Sequence, residues 1–499
     1  MNYKKMYSGE SYAIRALAGK LIIPLCLALI VLLSATANAQ ETSPPPASNA
    51  RQLTPDQAVD IALKNNLSLE SSRTGLSTKK RASDFSWNQF IPSITIGGGF
   101  SRSNEAQKQT GLFPIDMSTI MPPMIPIPPE TIYAVTPYSI ELPQWNLIGN
   151  IQMSLSISAA MFENMRRLRI DYEGGLLSYE KAKLQLERDV RKAYHSILLL
   201  QENLVVLRGS YENAERQVEI SQASYDAGLA PELMVLQARV VRENMRPAID
   251  QLESAVKLNM ALFAMNLGME YNAEFELIPI TEAVEYISLD TTEMISKAAA
   301  GKPDIQELRH TILMMQSARR AQIYSLTPAL SLGWNSQSLF NPLKDPWKEP
   351  WFENKDDWKK SGSFTIMFGV RLHSLIPWSQ DFQGIKNLDD QIRTATIGLA
   401  QMVNGTEIEV YNTVLSLERI HLNTKAQGET VALAEQSYRM TEQAYRAGLQ
   451  DYFQVQSAEQ SLRQARVQLL EQQFNYLNGL IDLEYSIGVP FGTLSKRSR

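Results

Sequence analysis

The chain has 499 residues, with 48 lysines and arginines against 53 aspartates and glutamates, and a formal net charge of −5. A mildly acidic chain that begins with an export signal is a poor candidate for binding nucleic acid. Its single cysteine, Cys26, falls inside that signal, so the mature chain is expected to form no disulfide, thiolate metal site or cysteine nucleophile.

Residues 1–39 have the pattern of a secretory signal peptide. Basic residues at positions 4, 5, 15 and 20 precede an apolar run from Leu21 to Leu33, and Ala37-Asn38-Ala39 offers a small-x-small cleavage site. The run of about 13 apolar residues is too short for the roughly 20 of a membrane helix. Bulky Leu25 before Cys26 argues against lipidation of that cysteine. Cleavage leaves 44 basic against 52 acidic residues, a net charge of −8.

The next segments predict a leader, a helix and a strand. Residues 40–52, rich in Pro and Ser near their start, predict a flexible leader. From Leu53 the sequence LTPDQAVDIALKNNLSLE predicts an amphipathic helix that continues to about Gln89 and ends before Pro92. Residues 93–100, SITIGGGF, then have the composition of a strand.

The same succession returns 236 positions later. Lys302-Pro303-Asp304-Ile305 corresponds to residues 66–69, and Pro328 followed by ALSLG corresponds to Pro92 followed by SITIG. Return strands are predicted at residues 148–159 and 363–374, after long proline-rich loops at about 101–146 and 338–362. The strands have about 8 to 12 residues, near the length that crosses a bilayer in a β-barrel. A soluble pair of β-hairpins remains the alternative at this point.

Two very long helices follow the return strands. Residues 162–226 predict a helix of roughly 95 Å at about 1.5 Å per residue, longer than a globular domain needs. Its apolar seam alternates steps of four and three, which predicts coiled-coil packing. The seam consists of Leu186, Val190, Ala193, Ile197, Leu200, Leu204, Leu207, Tyr211, Ala214, Val218, Ser221 and Tyr225. The second long helix, residues 385–446, is more polar at Thr413, Thr424 and Gln427.

Each long helix runs into a glycine. Tyr225, Gly228 and Leu229 recur 220 positions later as Tyr445, Gly448 and Leu449. Glycine just past a helix end adopts the left-handed conformation without a Cβ penalty, so each copy predicts the bend of a helical hairpin. Pro231 suits the first turn of the next helix, and Asp451 with Gln454 resembles a capping pair. The returning helices end at Gly268 and Gly488, again 220 apart.

These intervals predict a duplicated architecture. The first repeat is residues 53–270, an inter-repeat linker is residues 271–286, the second repeat is residues 287–489, and residues 490–499 form a short C-terminal tail. About 16 residues, net, are missing from the second repeat, mostly in its loop.

In the order, duplication and spacing of these motifs, the chain resembles the TolC-type outer-membrane efflux protein family. The resemblance covers nearly all of the mature sequence and includes LTPDQAVDIALKNNLSLE, the two proline–strand joints, and the Tyr-x-x-Gly-Leu bends followed by VLQA or VQSA. It implies an α+β membrane protein: a homotrimer with four strands per chain in one 12-stranded outer-membrane β-barrel, continuous with a helical barrel in the periplasm. Four strands cannot close a barrel in lipid, so assembly is physically required as well.

The resemblance implies where partners bind. The hairpin tips, carrying Tyr225, Gly228, Leu229, Tyr445, Gly448 and Leu449, would contact a periplasmic adaptor protein. Tyr445, Gln450 and Gln454 are candidates for a periplasmic gate. Family members with a cation-sensitive entrance have paired aspartates where Gln454 and Ser457 stand, and Gln450 and Met234 replace other gate residues. An acidic selectivity ring and a salt-bridged latch are therefore not expected.

No constellation of residues supports an enzyme or a metal or cofactor site. The four histidines, at positions 195, 310, 373 and 421, are far apart and have no ligand-like neighbour at i+4. The sequence therefore predicts the outer-membrane channel of a tripartite efflux or type I secretion system in a Gram-negative cell. Its partners would be outer-membrane lipid, the adaptor and an inner-membrane pump of RND or ABC type, but no nucleic acid. The alternative is a structural coiled-coil anchor without transport.

Overall fold

A computed structural model describes residues 51–105, 108–116, 133–141, 144–279, 286–340 and 358–494. The predicted signal peptide with Cys26, residues 40–50 of the leader, the MPPMIPIPPE segment of the first loop, residues 341–357 of the second loop and the end of the tail lie outside these ranges. Within them, no helix is both long and apolar enough to cross a membrane.

The N-terminal segment forms two helices, α1 (Pro55–Asn65) and α2 (Leu67–Asp84), followed by a 3₁₀ turn at Ser86–Phe90. The prediction of one helix to about Gln89 is therefore wrong. Asn66 leaves the helical region at ψ 122°, and its side chain accepts a hydrogen bond from the Leu69 N–H at 3.0 Å. An asparagine that caps a new helix locally competes with helix continuation.

The second half of the chain has the same break. Helices α5 (Thr291–Gly301) and α6 (Pro303–Tyr324) are separated by Lys302 at ψ 123°, and Pro303 starts α6. Proline is accepted at the first helical position because its missing N–H would have had no partner there.

Four long strands form one antiparallel sheet, in the order β2 (Ser93–Arg102), β5 (Trp145–Ile157), β7 (Ala329–Phe340) and β8 (Trp358–Gly369). All four lie where the sequence predicts strands. The last strand ends at Gly369 rather than residue 374, because Leu372–Leu375 forms a 3₁₀ turn. The register pairs Ile96 with Ile151 and Trp334 with Phe364.

The first loop contains an additional hairpin that the sequence analysis missed. Strands β3 (Lys108–Asp116) and β4 (Tyr133–Glu141) pair with each other and not with the four-stranded sheet. Pro114 and Pro137 lie within these strands. A two-stranded ribbon tolerates proline because each strand has one side that makes no ladder hydrogen bonds.

The two long helices are α3 (Ala159–Asp226, 68 residues) and α7 (Gln380–Arg446, 67 residues). They return as α4 (Glu232–Asn266) and α8 (Tyr452–Ile487). Each long helix spans about 100 Å. Much of the predicted seam of α3 is buried, including Val190, Ile197, Leu204, Ala214, Val218 and Ser221, but Tyr225 at its end is exposed.

The helices form a layer. Helix α3 packs against α4 and α8, and α8 packs against α7, so α4 and α7 lie at the two ends of the layer. Nearer the sheet the order is α2, α3, α6 and α7. Helices α1 and α5 add a second layer: α1 packs on α3 around Tyr194, and α5 packs on α7 and α8 around Val414 and Leu483.

Two short strands lie where the sequence analysis predicts a leader and a linker. Strand β1 (Arg51–Leu53) includes the last predicted residues of the leader, and strand β6 (Phe275–Leu277) lies inside the predicted linker. The two strands pair, and the buried Tyr194 hydroxyl donates at 2.8 Å towards the carbonyls of Leu53 and Ile278. This small sheet thus fastens the segment before α1 and the segment after α4 to α3.

Candidate functional site: the helical hairpin tips

Both predicted bends are present. Gly228 and Gly448 have φ angles of 69° and 72°, in the left-handed region. After each glycine the leucine N–H bonds back five residues, from Leu229 to Ser224 at 2.9 Å and from Leu449 to Ala444 at 2.8 Å. Together with the glycine N–H bonds to Tyr225 and Tyr445, this is the Schellman arrangement, which satisfies the last carbonyls of α3 and α7.

The helices that follow the bends start differently. Asp451 is the N-cap of α8, and its side chain accepts from the Gln454 N–H at 3.0 Å, which is one of the two hydrogen bonds of the predicted capping pair. Pro231 is the N-cap residue of α4 and does not lie in its first turn, contrary to the prediction. Its carbonyl still accepts the first helical hydrogen bond, from Met234 at 3.0 Å.

The tips present apolar side chains to solvent. Leu229 is 83% exposed and Leu449 is 78% exposed. The space beside the glycines is open as well, because a Cβ added to Gly228 or Gly448 would meet no atom within 4 Å. Exposed leucine side chains gain little from burial within one chain. The two tips therefore form an open, partly apolar surface that a partner protein can contact.

The two hairpins meet just inside the tips. The Tyr445 hydroxyl lies 3.5 Å from Ser221 Oγ, and the rings of Tyr445 and Tyr452 are 6.2 Å apart. Tyr452 is buried with Val218 and Ala238. Burial, reinforced by nearby Tyr445, raises the pKa of Tyr452 to about 12, so its phenol stays neutral at physiological pH. The joint is thus made of aromatic packing and one long hydroxyl contact.

The structure brings only part of the predicted gate to this joint. Tyr445 lies there, but Gln450 and Gln454 are exposed to solvent. Among described residues 213–246 and 434–459, no ion pair joins one hairpin to the other. Tyr452 escaped the sequence analysis, although an aromatic residue directly after the N-cap Asp451 was the available signal.

Two of the four histidines have side chains in contact with neighbouring groups. His195 is buried with Nδ1 at 3.1 Å from Asn478 Oδ1, and burial lowers its pKa. His421 stacks on Tyr286 with ring centroids 4.0 Å apart. In the ranges that the structure describes, no group of three His, Cys, Asp or Glu residues could hold a metal ion.

Comparison with known proteins agrees with this architecture. The family model for the outer membrane efflux protein matches residues 58–261. Over this segment the chain is similar to the outer membrane efflux protein family. Efflux pump outer membrane proteins are also among its curated relatives. A probable efflux pump outer membrane protein, SepC of Pseudomonas putida, is 23% identical over 357 residues, covering 69% of this chain and 70% of the relative.

Solved structures share the fold of this chain. The CmeC outer membrane channel of Campylobacter jejuni superposes with a TM-score of 0.66 at 15% identity, covering 93% of each chain. VceC, an outer membrane protein of Vibrio cholerae, gives 0.64 at 14% identity, covering 88% of this chain and 96% of its own. At these identities the likeness establishes the α+β fold.

Proposed function

We propose that the chain is the outer-membrane channel of a tripartite efflux or type I secretion system, a passive trimeric conduit from periplasm to exterior. The observation that carries the proposal is that both outer strands of the sheet and both end helices of the helical layer expose apolar side chains. SepC and TtgF of Pseudomonas putida are named as efflux pump outer membrane proteins, which supports the same assignment.

The sheet edges favour three copies. Strands β2 and β8 are the outer strands of the sheet, and each exposes an alternating apolar row. These rows are Ile94, Ile96 and Phe100 on β2, and Phe364, Ile366 and Phe368 on β8. In lipid, unpaired backbone groups cost several kcal/mol each, so β2 of one copy is expected to pair with β8 of the next. Three copies give 12 strands, which encloses a pore.

The helical edges point to the same assembly. The end helices α4 and α7 each carry exposed apolar side chains at heptad-like spacing. On α4 these are Leu233, Leu236, Val240, Leu258, Leu262 and Met265; on α7 they are Ile408, Leu415, Leu422, Leu433 and Met440. We propose that α4 of one copy packs on α7 of the next. The helices then form a closed periplasmic tube below the barrel in the outer membrane.

The remaining parts of the proposal concern partners and organisation. The exposed tips around Leu229 and Leu449 are proposed to contact a periplasmic adaptor, which connects the channel to an inner-membrane pump of RND or ABC type. Tyr445 is proposed to hold the periplasmic end closed, with Gln450 and Gln454 beside it. The two repeats are proposed to be residues 53–270 and 287–489, with residues 271–286 between them and residues 490–499 as a tail.

Two measurements test the function. Purified trimer in a planar bilayer should pass ionic current, and more current after Tyr445→Ala; an anchor would pass none in either form. Cysteines placed at Leu229 or Leu449 should cross-link to an adaptor in cells, because the mature sequence has no other cysteine. A cysteine at Leu313, which is exposed on α6 near the sheet, is the matched control and should not cross-link.

A further inference from the structure

A polar groove of about 630 Å³ lies where α3, α7 and α8 meet, well away from the tips. Carboxamides and hydroxyls dominate its lining: Asn412, Thr413, Ser416, Asn423, Gln472 and Asn475. Three charged side chains, Lys192, Arg419 and Asp482, line it as well. The tips and the edges proposed above do not account for this groove.

The groove opens on the face of the helical layer opposite to α1 and α5. Helix α5 packs against Val410 and Val414 of α7, whereas the groove residues Asn412 and Ser416 are each two positions further along. Two positions rotate by about 200° around a helix at 3.6 residues per turn. On α3, the groove residue Lys192 likewise lies two positions after Val190, which packs with α1 in the cluster around Tyr194.

This placement puts the groove on the inner wall of the proposed tube. A tube must keep its interior open, so the additional helices α1 and α5 belong on its outside. The inference rests on the proposed trimeric channel, and it would place three such grooves around the passage.

The charges in the groove do not balance. Lys192 Nζ is paired with Asp482 Oδ2 at 2.8 Å, so these two charges compensate each other. Within the described part of the chain, Arg419 makes no ion pair, and the residue is exposed. Each groove therefore carries one net positive charge among neutral hydrogen-bonding groups.

We propose that this groove is an anion-binding subsite for carboxylate- or sulfonate-bearing solutes that pass through the channel. The guanidinium of Arg419 offers a planar fork of N–H donors that matches the two oxygens of a carboxylate. Ser416 and Asn423, on the same side of α7, supply neutral donors beside it. The subsite holds an anion loosely, since Arg419 is exposed, which suits a passage that must also release its cargo.

The test is the ion selectivity of the purified trimer in a planar bilayer with a KCl gradient, measured in the wild type and in the Tyr445→Ala background. Arg419→Gln should shift the reversal potential away from chloride preference, and Arg419→Lys should retain most of that preference. Lys297→Gln removes a positive charge from α5 on the opposite face and should leave the reversal potential unchanged. Benzoate should reduce the current, with an apparent affinity up to about fivefold weaker in Arg419→Gln, the size of an exposed ion pair.

The outcomes separate this inference from the channel itself. A current whose reversal potential and benzoate sensitivity are the same in Arg419→Gln as in the parent would overturn the anion subsite and leave the channel proposal intact. An equal shift in Lys297→Gln would also overturn it, because the effect would then be one of overall charge. Absence of current in the wild type and in Tyr445→Ala would overturn both proposals.

Discussion

Two glycines with almost the same backbone angles provide a controlled test of close packing. Gly448 has φ 72° and Gly488 has φ 69°, so alanine costs about 1–2 kcal/mol at either position through its left-handed backbone alone. At Gly448 a Cβ would meet no atom within 4 Å. At Gly488 it would lie 2.3 Å from the carbonyl oxygen of Gly301, which is backbone and cannot rotate away.

We therefore expect Gly488→Ala to destabilise the protein by a further 1–3 kcal/mol or so, the usual cost of overpacking. The assay is thermal unfolding of the purified trimer followed by circular dichroism at a fixed scan rate. Gly448→Ala should lower the midpoint only slightly, and Gly488→Ala by several degrees more. Equal midpoints for the two variants would refute the claim that backbone contact at Gly301 requires glycine at position 488.

Three further predictions concern charge, assembly and conductance. Lys181 pairs with Asp304 at 2.7 Å and with Glu307 at 2.8 Å. The pairing lowers the pKa of Glu307. Burial raises the pKa of Asp304, but the hydrogen bond and charge of Lys181 more than offset this rise, so the pKa of Asp304 is lowered as well. Because their pKa values are lowered in the folded state, the two carboxylates stabilise the fold above about pH 4, and this stabilisation is lost as the pH falls further. In thermal scans, Lys181→Met should therefore lower the unfolding midpoint at pH 7 and lower it much less at pH 3. Leu262→Lys on the proposed α4 edge should abolish the trimer in size-exclusion chromatography while leaving helical circular dichroism unchanged, and an intact trimer would contradict that interface. Because Gln454 stands where a cation-sensitive entrance has an aspartate, added divalent cations should leave single-channel conductance unchanged, and a strong block would contradict this.

Local patterns were predictable from the sequence where one physical signal dominates. The seam of α3, with Val190 and Ile197 at its centre, and the glycine bends at Gly228 and Gly448 follow from heptad spacing and from backbone freedom. The helix break at Asn66 was missed because an amphipathic pattern continues through it, and only the capping bond to Leu69 shows that the helix restarts. The hairpin of β3 and β4 was hidden by the proline-rich stretch that follows β3.

Features that depend on distant residues were not predictable. The groove around Arg419 combines α7 and α8 with Lys192 of α3, which lies more than 200 positions earlier in the sequence. The meeting of Tyr452 with Val218 and Ala238 likewise needs the side-by-side placement of two hairpins. The apolar periodicity of one helix does not specify which other helix packs against it.

The seating of each returning helix at its inner end has a mechanical consequence. At Gly268 a Cβ would lie 2.2 Å from the Asn65 carbonyl oxygen, and the Asn66 amide donates to the Asn266 carbonyl at 2.8 Å, so the end of α4 is fixed against the break between α1 and α2. From this pivot, α4 extends about 50 Å to its tip. A rotation of only about 5° there would carry the tip end of α4 through roughly 4 Å, so a small change of packing near the pivot becomes a much larger displacement at the far end.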